Sequence, residues 1–458
     1  MKLKVPARLD NGFAPMALVI REMAEATGEN GQDIVVAVER NHGYTKVYKT
    51  RIYKDGTGHD EENFAFIERI AKTLLWVSGG YKLHIAGSPL VAEYIKKTFS
   101  HGGKRDFDVC FMERVYEEKF EVMATDLQHA PREVYSATAV GRHLDGCRIG
   151  FDAGGSDRKV SAVVNGETVY SEEVVWFPKL NADPSYHYDG ILSAMKTAAS
   201  HMPRVDAIGV SSAGVYIDNK IMVASLFIKV PDEEFDKRVK NMYIDVAKEI
   251  GENIPIEVAN DGDVTALAGA MSLGDNGILG IAMGTSEAAG YVDMYGNITG
   301  WLNELAFAPV DFNEDAMVDE WSGDYGCGVK YFSQDAVIKL APAAGIELEE
   351  SLSPAEKLKV VQGLMAEGDE RARAIYETIG AYFGYTIAYY CEFYDIKQVL
   401  IMGRVTSGEG GVILLDVAKK TLEAEFPHLA EKVKLNIPDE KARRVGQSVA
   451  AASLPKIG

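Results

Sequence analysis

Three stretches of this sequence combine residue types that can handle phosphate. The first is Asp152-Ala153-Gly154-Gly155-Ser156, followed by Arg158 and Lys159. Glycines without a Cβ expose backbone N–H groups that phosphate can approach, a hydroxyl and cations add donors, and a carboxylate nearby can hold hydrated Mg²⁺. The second is Asn260-Asp261-Gly262-Asp263, directly after the apolar run 256–259. Phosphoryl transfer to an alcohol needs a positioned carboxylate to accept the hydroxyl proton, and Asp261 suits that task. The third is Gly284-Thr285-Ser286, which sits between two apolar runs within residues 277–293 and repeats the design of the first. Each also has a plainer reading. Gly-Gly pairs make ordinary hairpin turns, and Asp261 and Asp263 are good helix N-caps. Finding all three in this order on one chain favours the chemical reading.

The elements that must position these residues alternate strands and helices. Ile149 and Phe151 lead into the first glycine turn, and Val160, Ala162 and Val164 alternate back out, which predicts a hairpin. A helix near Gly190–His201 follows, then a buried strand Ala207–Ser211, a short strand Lys220–Ala224 and an amphipathic helix Glu233–Glu249. The strand Ile256–Ala259 and the helix Asp263–Leu273 flank Asp261, a position where open α/β sheets place their ligands. Beyond the second glycine hairpin come helices near Asp335–Leu340, Pro354–Glu367 and Glu370–Phe393. The chain closes with a strand Gln398–Met402, a helix Gly411–Glu425, a strand Lys432–Asn436 and a helix near Lys441–Ser453. The aromatic run Tyr382, Phe383, Tyr385, Tyr389, Tyr390 and Phe393 has helical spacing and reads as core.

Residues 1–146 read as a small α/β unit of their own. Its elements are helices Met16–Glu25, Asn63–Val77 and Pro89–Phe99 and strands Asp33–Val38, Tyr44–Tyr53, Lys82–Ala86 and Phe107–Met112, with a linker over Asp126–His143. The strand–turn–helix at 83–99 echoes that at 399–426, both helices ending in Lys-Lys-Thr, so this unit is a candidate degenerate repeat of the C-terminal lobe.

The net charge of −20 over 458 residues opposes a nucleic-acid or anionic-membrane binder, which needs a basic face. The four cysteines, Cys110, Cys147, Cys327 and Cys391, form no C-x-x-C pair and read as free thiols. No window approaches a membrane span and the N-terminal residues show no signal-peptide pattern, so a cytoplasmic protein is expected.

From Arg148 onward, roughly two-thirds of the chain, the sequence resembles the ROK (repressor, ORF, kinase) family of sugar kinases in the actin–hexokinase superfamily. DAGGSDRK resembles the family's first phosphate motif. VANDGDVTALAG at 258–269 resembles the segment whose aspartate is the catalytic base, and IAMGTSEAAG at 281–290 resembles the second phosphate motif. LIMGRVTSGEGG at 400–411 resembles the adenosine motif, and IGVSSAGVYID at 208–218 stands where the family has a loop near the sugar. The resemblance implies an α/β fold of two RNase H-like (actin-like ATPase) lobes around a cleft, 147–259 and 260–458, beside the N-terminal unit. It implies an ATP-dependent carbohydrate kinase with Asp261 as general base. Asp152, Gly154, Gly155, Ser156, Lys159, Gly284, Thr285 and Ser286 would serve the phosphates, and Gly403, Gly408 and Gly411 the nucleotide. Asn260, Glu304 and Ser212 would serve a sugar or polyol, and Asp152 would hold Mg²⁺ through water. The expected partners are that substrate and a second copy of the chain as a dimer.

The sequence departs from the family pattern in places that matter. Phe307 replaces a zinc-ligating histidine, and the zinc motif has shrunk to Gly326-Cys327-Gly328-Val329, so no structural zinc is expected. Ala224-Ser225-Leu226-Phe227 replaces a sugar-contacting segment, which puts glucose in doubt as substrate. Ser286-Glu287-Ala288-Ala289 replaces a small, uncharged run in the second phosphate motif, where the charge of Glu287 would repel a triphosphate that it faced. These departures support an alternative, a catalytically impaired ROK-fold protein that binds a ligand and regulates or scaffolds.

Overall fold

The computed structural model describes residues 1–135, 140–438 and 440–458, with the backbone alone for 440–445. The chain forms two compact units. One comprises Met1–Ser136, Ile281–Ala289 and Trp301–Ile437, and the other Ala137–Gly280, Gly290–Gly300 and Pro438–Gly458. This grouping cuts across the boundaries expected at residues 146 and 259. The linker expected over Asp126–His143 lies partly outside the described residues.

In the second unit a five-stranded sheet runs in the order 256–260, 207–212, 147–153, 157–164, 167–175. Cys147–Ala153, Asp157–Val164 and Glu167–Val175 form an antiparallel meander. Ala207–Ser212 and Ile256–Asn260 add in parallel on the other side, the mixed order of an RNase H-like lobe. Cys147–Ala153 is buried along its whole length because helices cover both faces. Ile149 and Phe151 share a core with Ile191 and Met195 of the helix Pro184–Ser200 and Val246 of the helix Met242–Ile250. On the opposite face Gly150 and Gly209 are paired in register beneath the closing helix Glu440–Ala452. A Cβ on either would collide with the carbonyl of Ser448 or of Ala451, so this close approach requires glycine at both positions.

Two expectations here need correction. The single helix over 233–249 is broken: a turn Asp232–Glu234 passes into a π-helical turn Phe235–Val239, and a separate helix follows at Met242–Ile250. The break frees the carbonyl of Lys240 to accept from the backbone N–H of Ile221 in the neighbouring strand. The strand Glu167–Val175 was not anticipated. It is a sheet edge whose residues are exposed or half-buried, so its apolar signal is weak.

In the first unit a four-stranded sheet runs in the order 45–52, 32–39, 82–86, 121–125. The strand expected at Phe107–Met112 is instead a helix, Asp106–Tyr116. Asp106 and Asp108 occupy its acidic first turn, and Val109, Met112, Val115 and Tyr116 bury at helical spacing. A second four-stranded sheet runs 287–292, 278–283, 398–402, 434–436. The echo between 83–99 and 399–426 extends to the backbone. In both, a strand ends at a glycine with positive φ, Gly87 at 109° and Gly403 at 104°, a helix follows, and a later strand pairs in parallel. The aromatic run on the helix Glu370–Tyr390 is core, with Tyr382, Phe383, Tyr385, Tyr389 and Tyr390 fully buried. No helix among the described residues is long and apolar enough to cross a membrane.

A buried ion network ties the N-terminal segment into this unit. Asp324 Oδ2 accepts from Arg69 Nη1 and from Lys72 Nζ, each at 2.6 Å, and Arg105 Nη1 lies 2.8 Å from Asp324 Oδ1. Arg105 also pairs with Glu68, and Trp76 Nε1 donates to Asp108 at 2.5 Å. Burial alone would raise the pKa of Asp324, but the cations of Lys72, Arg69 and Arg105 hold it well below the usual carboxylate range. A depressed folded-state pKa gives stability that is present above the ordinary aspartate value and lost as pH falls below it. Asp324→Asn leaves three buried cations short of an anion and is expected to cost about 3–5 kcal/mol, read as a lower urea midpoint at neutral pH.

Candidate active site

The C-terminal ends of three neighbouring parallel strands in the second unit bring Asp152, Ser211 and Asn260-Asp261 together. The register pairs Asp152 with Ser211 and Asn260 with Ser212. Asn260, not an aspartate, is the N-cap of the helix Asp261–Leu273: its Oδ1 accepts from the Gly262 N–H at 2.7 Å. Its Nδ2 donates to the Gly214 carbonyl at 2.7 Å, which anchors the loop after the strand 207–212. Asp263 is also occupied structurally, accepting from the Tyr291 N–H at 2.9 Å. Capping is thus done by Asn260, and Asp263 is engaged with the strand 287–292. Asp261, half-buried at the first helical position, accepts from Gly262 N–H at 3.0 Å.

Electrostatics set these carboxylates apart from surface ones. Burial raises the pKa of Asp261, opposed by the hydrogen bond from Gly262 N–H and by the Lys179 ammonium. Asp152 is 9% exposed and its Oδ1 accepts from the Ser211 hydroxyl at 2.9 Å. Its pKa is pushed up to about 6 by burial and by the charge of Asp261, against that hydrogen bond. A buried carboxylate whose ionisation is opposed by a second one nearby is a donor that a divalent cation would favour, so Asp152 fits hydrated Mg²⁺.

Lys179 was missed by sequence reasoning. It lies in the short turn Pro178–Leu180, after an edge strand and outside any motif. A Cβ on Gly155 would sit 3.4 Å from its Nζ, so the ammonium lies over the glycine turn as well as near Asp261. Trp176 holds this arrangement, its Nε1 donating to the Gly154 carbonyl at 2.7 Å and its N–H to the Ser156 carbonyl at 3.1 Å. Gly154 is required where it stands, because a Cβ would meet the Asp157 carbonyl at 2.7 Å. Lys159, expected at the phosphates, lies within ion-pair distance of Asp157 at 3.5 Å and Glu173 at 3.9 Å. Ser156 is exposed at the turn, its hydroxyl 3.4 Å from Asp157 Oδ2. Ser212, expected at the substrate, is fully buried and accepts from the Tyr243 hydroxyl at 3.0 Å. Its neighbour Ser211 is the serine that reaches Asp152, because successive strand residues point to opposite faces.

The remaining expected site residues lie in the first unit. Gly284, Thr285 and Ser286 form the tight turn between Ile278–Met283 and Glu287–Val292, closed by Gly284 N–H donating to the Ser286 carbonyl at 3.0 Å. Gly403 packs against the backbone of Met283, a contact that a Cβ would prevent, so this turn and the start of the Gly403–Gly411 segment are neighbours. Gly408 caps the helix Glu409–Glu425, and Gly411 packs on the Thr406 carbonyl. Glu287 is 3% exposed and turned into the unit, with Oε2 against Gly328. Both its oxygens lack a hydrogen-bond partner, and burial together with the charge of Glu304 raises its pKa to about 8. Glu304 is held by its N–H donating to the Trp76 carbonyl at 3.0 Å. Where the family pattern places zinc, Cys327 packs with Ala306, Phe307 and Val329, and Lys72 Nζ lies 3.8 Å from its Sγ. Burial pushes the Cys327 thiol up to about 11.

No family model matches this chain, and no curated protein does. Solved structures do match. A ROK hexokinase from Thermus thermophilus aligns over 67% of this chain and 97% of its own, with 16% identity and a TM-score of 0.51. A ROK family transcriptional regulator, a homolog of the E. coli MLC protein, aligns over 68% of this chain and 79% of its own, with 17% identity and a TM-score of 0.50. The chain therefore has the actin-like ATPase fold as ROK proteins build it, in a divergent form.

Glu287 provides a test of the electrostatics. An acid whose folded-state pKa is raised contributes stability below its unfolded value that is lost as pH rises through the folded one, here between about pH 4.3 and 8. Glu287→Gln is expected to raise the melting temperature at pH 8 and change it little at pH 4.5, measured by thermal denaturation at both.

Proposed function

We propose that this chain transfers a phosphoryl group from ATP to a hydroxyl of a sugar or sugar-like substrate, with Asp261 as the general base. One observation carries the reading. Asp261 stands at the end of a parallel strand with its pKa raised by burial, while Asn260 takes the capping duty that would otherwise explain it. In the reaction the substrate hydroxyl oxygen forms a bond to the γ-phosphorus, the bond from that phosphorus to the β-phosphate oxygen breaks, and the hydroxyl proton passes to Asp261. The backbone at Gly154–Gly155 and the Lys179 ammonium hold phosphate oxygens. Asp152 holds Mg²⁺ through water, and the ion, when bound, offsets phosphate charge. In the first unit the Gly284–Ser286 and Gly403–Gly411 turns serve the nucleotide, and burial of Glu287 removes the charge that would oppose this. The same reading places the protein in the cytoplasm as a dimer.

A second reading is a non-catalytic ROK-fold ligand binder. It is favoured by the run Ser286-Glu287-Ala288-Ala289 and by the regulator that shares the fold at a similar TM-score. Steady-state kinetics of ADP release over a panel of sugars and polyols, paired with calorimetry of ATP-Mg²⁺, separates the two. Asp261→Asn is expected to lower kcat by about 10²–10⁴-fold while ATP affinity is kept. Nucleotide binding without turnover on any acceptor would support the second reading.

The acid limb of the pH–rate profile carries a further expectation. Both carboxylates work ionised, and with Asp152 at about 6 activity falls as pH drops through that value. Lys179→Met removes a cation that favours ionised Asp261 and is expected to move the limb to higher pH while raising KM for ATP. An unmoved limb in this variant would separate Lys179 from the base.

A further inference from the structure

The N-terminal segment contains a group of side chains that the phosphoryl-transfer reading does not use. His101 Nδ1, Asp106 Oδ1 and Cys110 Sγ lie within 4.8 Å of one another. The three separations are 3.4 Å from His101 Nδ1 to Asp106 Oδ1, 3.7 Å from His101 Nδ1 to Cys110 Sγ, and 3.6 Å from Cys110 Sγ to Asp106 Oδ1. A tetrahedron drawn with ordinary zinc bond lengths to nitrogen, oxygen and sulfur has edges of about 3.3–3.6 Å. The three donors therefore already stand near the corners of a zinc coordination shell.

The surroundings orient them for that task. Glu113 Oε2 is 3.0 Å from His101 Nε2, and the other ring nitrogen, Nδ1, faces Asp106 and Cys110. Glu113 is itself held, its Oε1 accepting from the Phe120 N–H at 2.9 Å. A carboxylate–histidine pair of this kind is the usual support of a metal-bound imidazole. Asp106 Oδ1 also accepts from the Gly102 N–H at 3.1 Å, which places the His101 loop over the helix Asp106–Tyr116. Asp106, Cys110 and Glu113 lie on one face of that helix at spacings of four and three.

We propose that His101, Asp106 and Cys110 bind a divalent transition-metal ion of the zinc class, with Glu113 as the positioning residue for His101. The His101 side chain is 61% exposed and Cys110 is also exposed, so the fourth position faces solvent. This site is separate from the zinc motif that the chain has lost, and it stands or falls independently of the kinase reading. Coordination displaces the Cys110 thiol proton into solvent, leaving a thiolate ligand.

The test uses the untagged, reduced 458-residue chain, with Zn²⁺ titrated against a colorimetric chelator and Co²⁺ followed by absorption. One Zn²⁺ per chain is expected, with cobalt giving a near-ultraviolet thiolate charge-transfer band and the intense visible bands of tetrahedral coordination. Cys110→Ser abolishes the charge-transfer band, and His101→Ala and Asp106→Asn each weaken binding by at least about tenfold. Glu113→Gln weakens it by about tenfold while the tetrahedral cobalt spectrum is kept, which a purely structural role for Glu113 would not produce. All four side chains are on the surface or partly so, and unchanged circular dichroism checks that the variants fold. Absence of micromolar binding, or binding that Cys110→Ser and His101→Ala leave intact, overturns the proposal.

Discussion

Asp324 sits buried among three cations, and the first unit is organised around keeping that carboxylate ionised. Arg69 and Lys72 come from the helix Asp60–Ser78, while Arg105 directly precedes the helix Asp106–Tyr116. Glu68 and Asp108 balance the remaining positive charge, so three acidic groups face three basic ones. Such a network is costly to desolvate and tolerates little misalignment, because each member depends on partners supplied by distant parts of the chain. Here those parts are residues 60–116 and the loop that ends at Cys327. The N-terminal segment is consequently built into the unit. Lys72 brings its ammonium to within 3.8 Å of the Cys327 sulfur, so a side chain supplies positive charge beside that loop.

The second unit handles buried charge differently. Burial of Asp152 and Asp261 outweighs the cations beside them, Lys159 acting on Asp152 and Lys179 on Asp261. In the proposed reaction that imbalance would serve the chemistry, because a carboxylate pushed upward is a better proton acceptor and a stronger ligand for a cation. Glu287 is a third case, a buried acid with no hydrogen-bond partner and with Glu304 adding repulsion. The contrast among Asp324, Asp261 and Glu287 arises from what surrounds each carboxylate, since the side chains are chemically almost alike.

Most of the strand and helix order was legible, because parallel strands buried on both faces leave dense apolar runs. Lys82–Ala86 and Gln398–Met402 have the bounds that their runs predicted. Two edge strands were not legible: Glu121–Thr125 and Glu167–Val175 bury too little to show a pattern. The helix Asp106–Tyr116 was misread because a short apolar run has no decisive period. Within the candidate site, Asp152 and Asp261 could be read from motif and strand position. Lys179 and Ser211 could not, since their placement depends on a turn held by Trp176 and on strand register. The orientation of Glu287 was also beyond the sequence, because facing inward or outward is decided by packing against Gly328.

The most direct test of the central claim is phosphorus NMR of the chain incubated with ATP-Mg²⁺ and a set of aldoses, amino sugars and polyols. The account predicts that ADP signals grow together with one new phosphomonoester resonance for at least one acceptor. It also predicts that both are lost in Asp261→Asn. Transfer that persists undiminished in Asp261→Asn would contradict the assignment of the base, and an unchanged ATP spectrum with every acceptor would contradict the kinase reading itself.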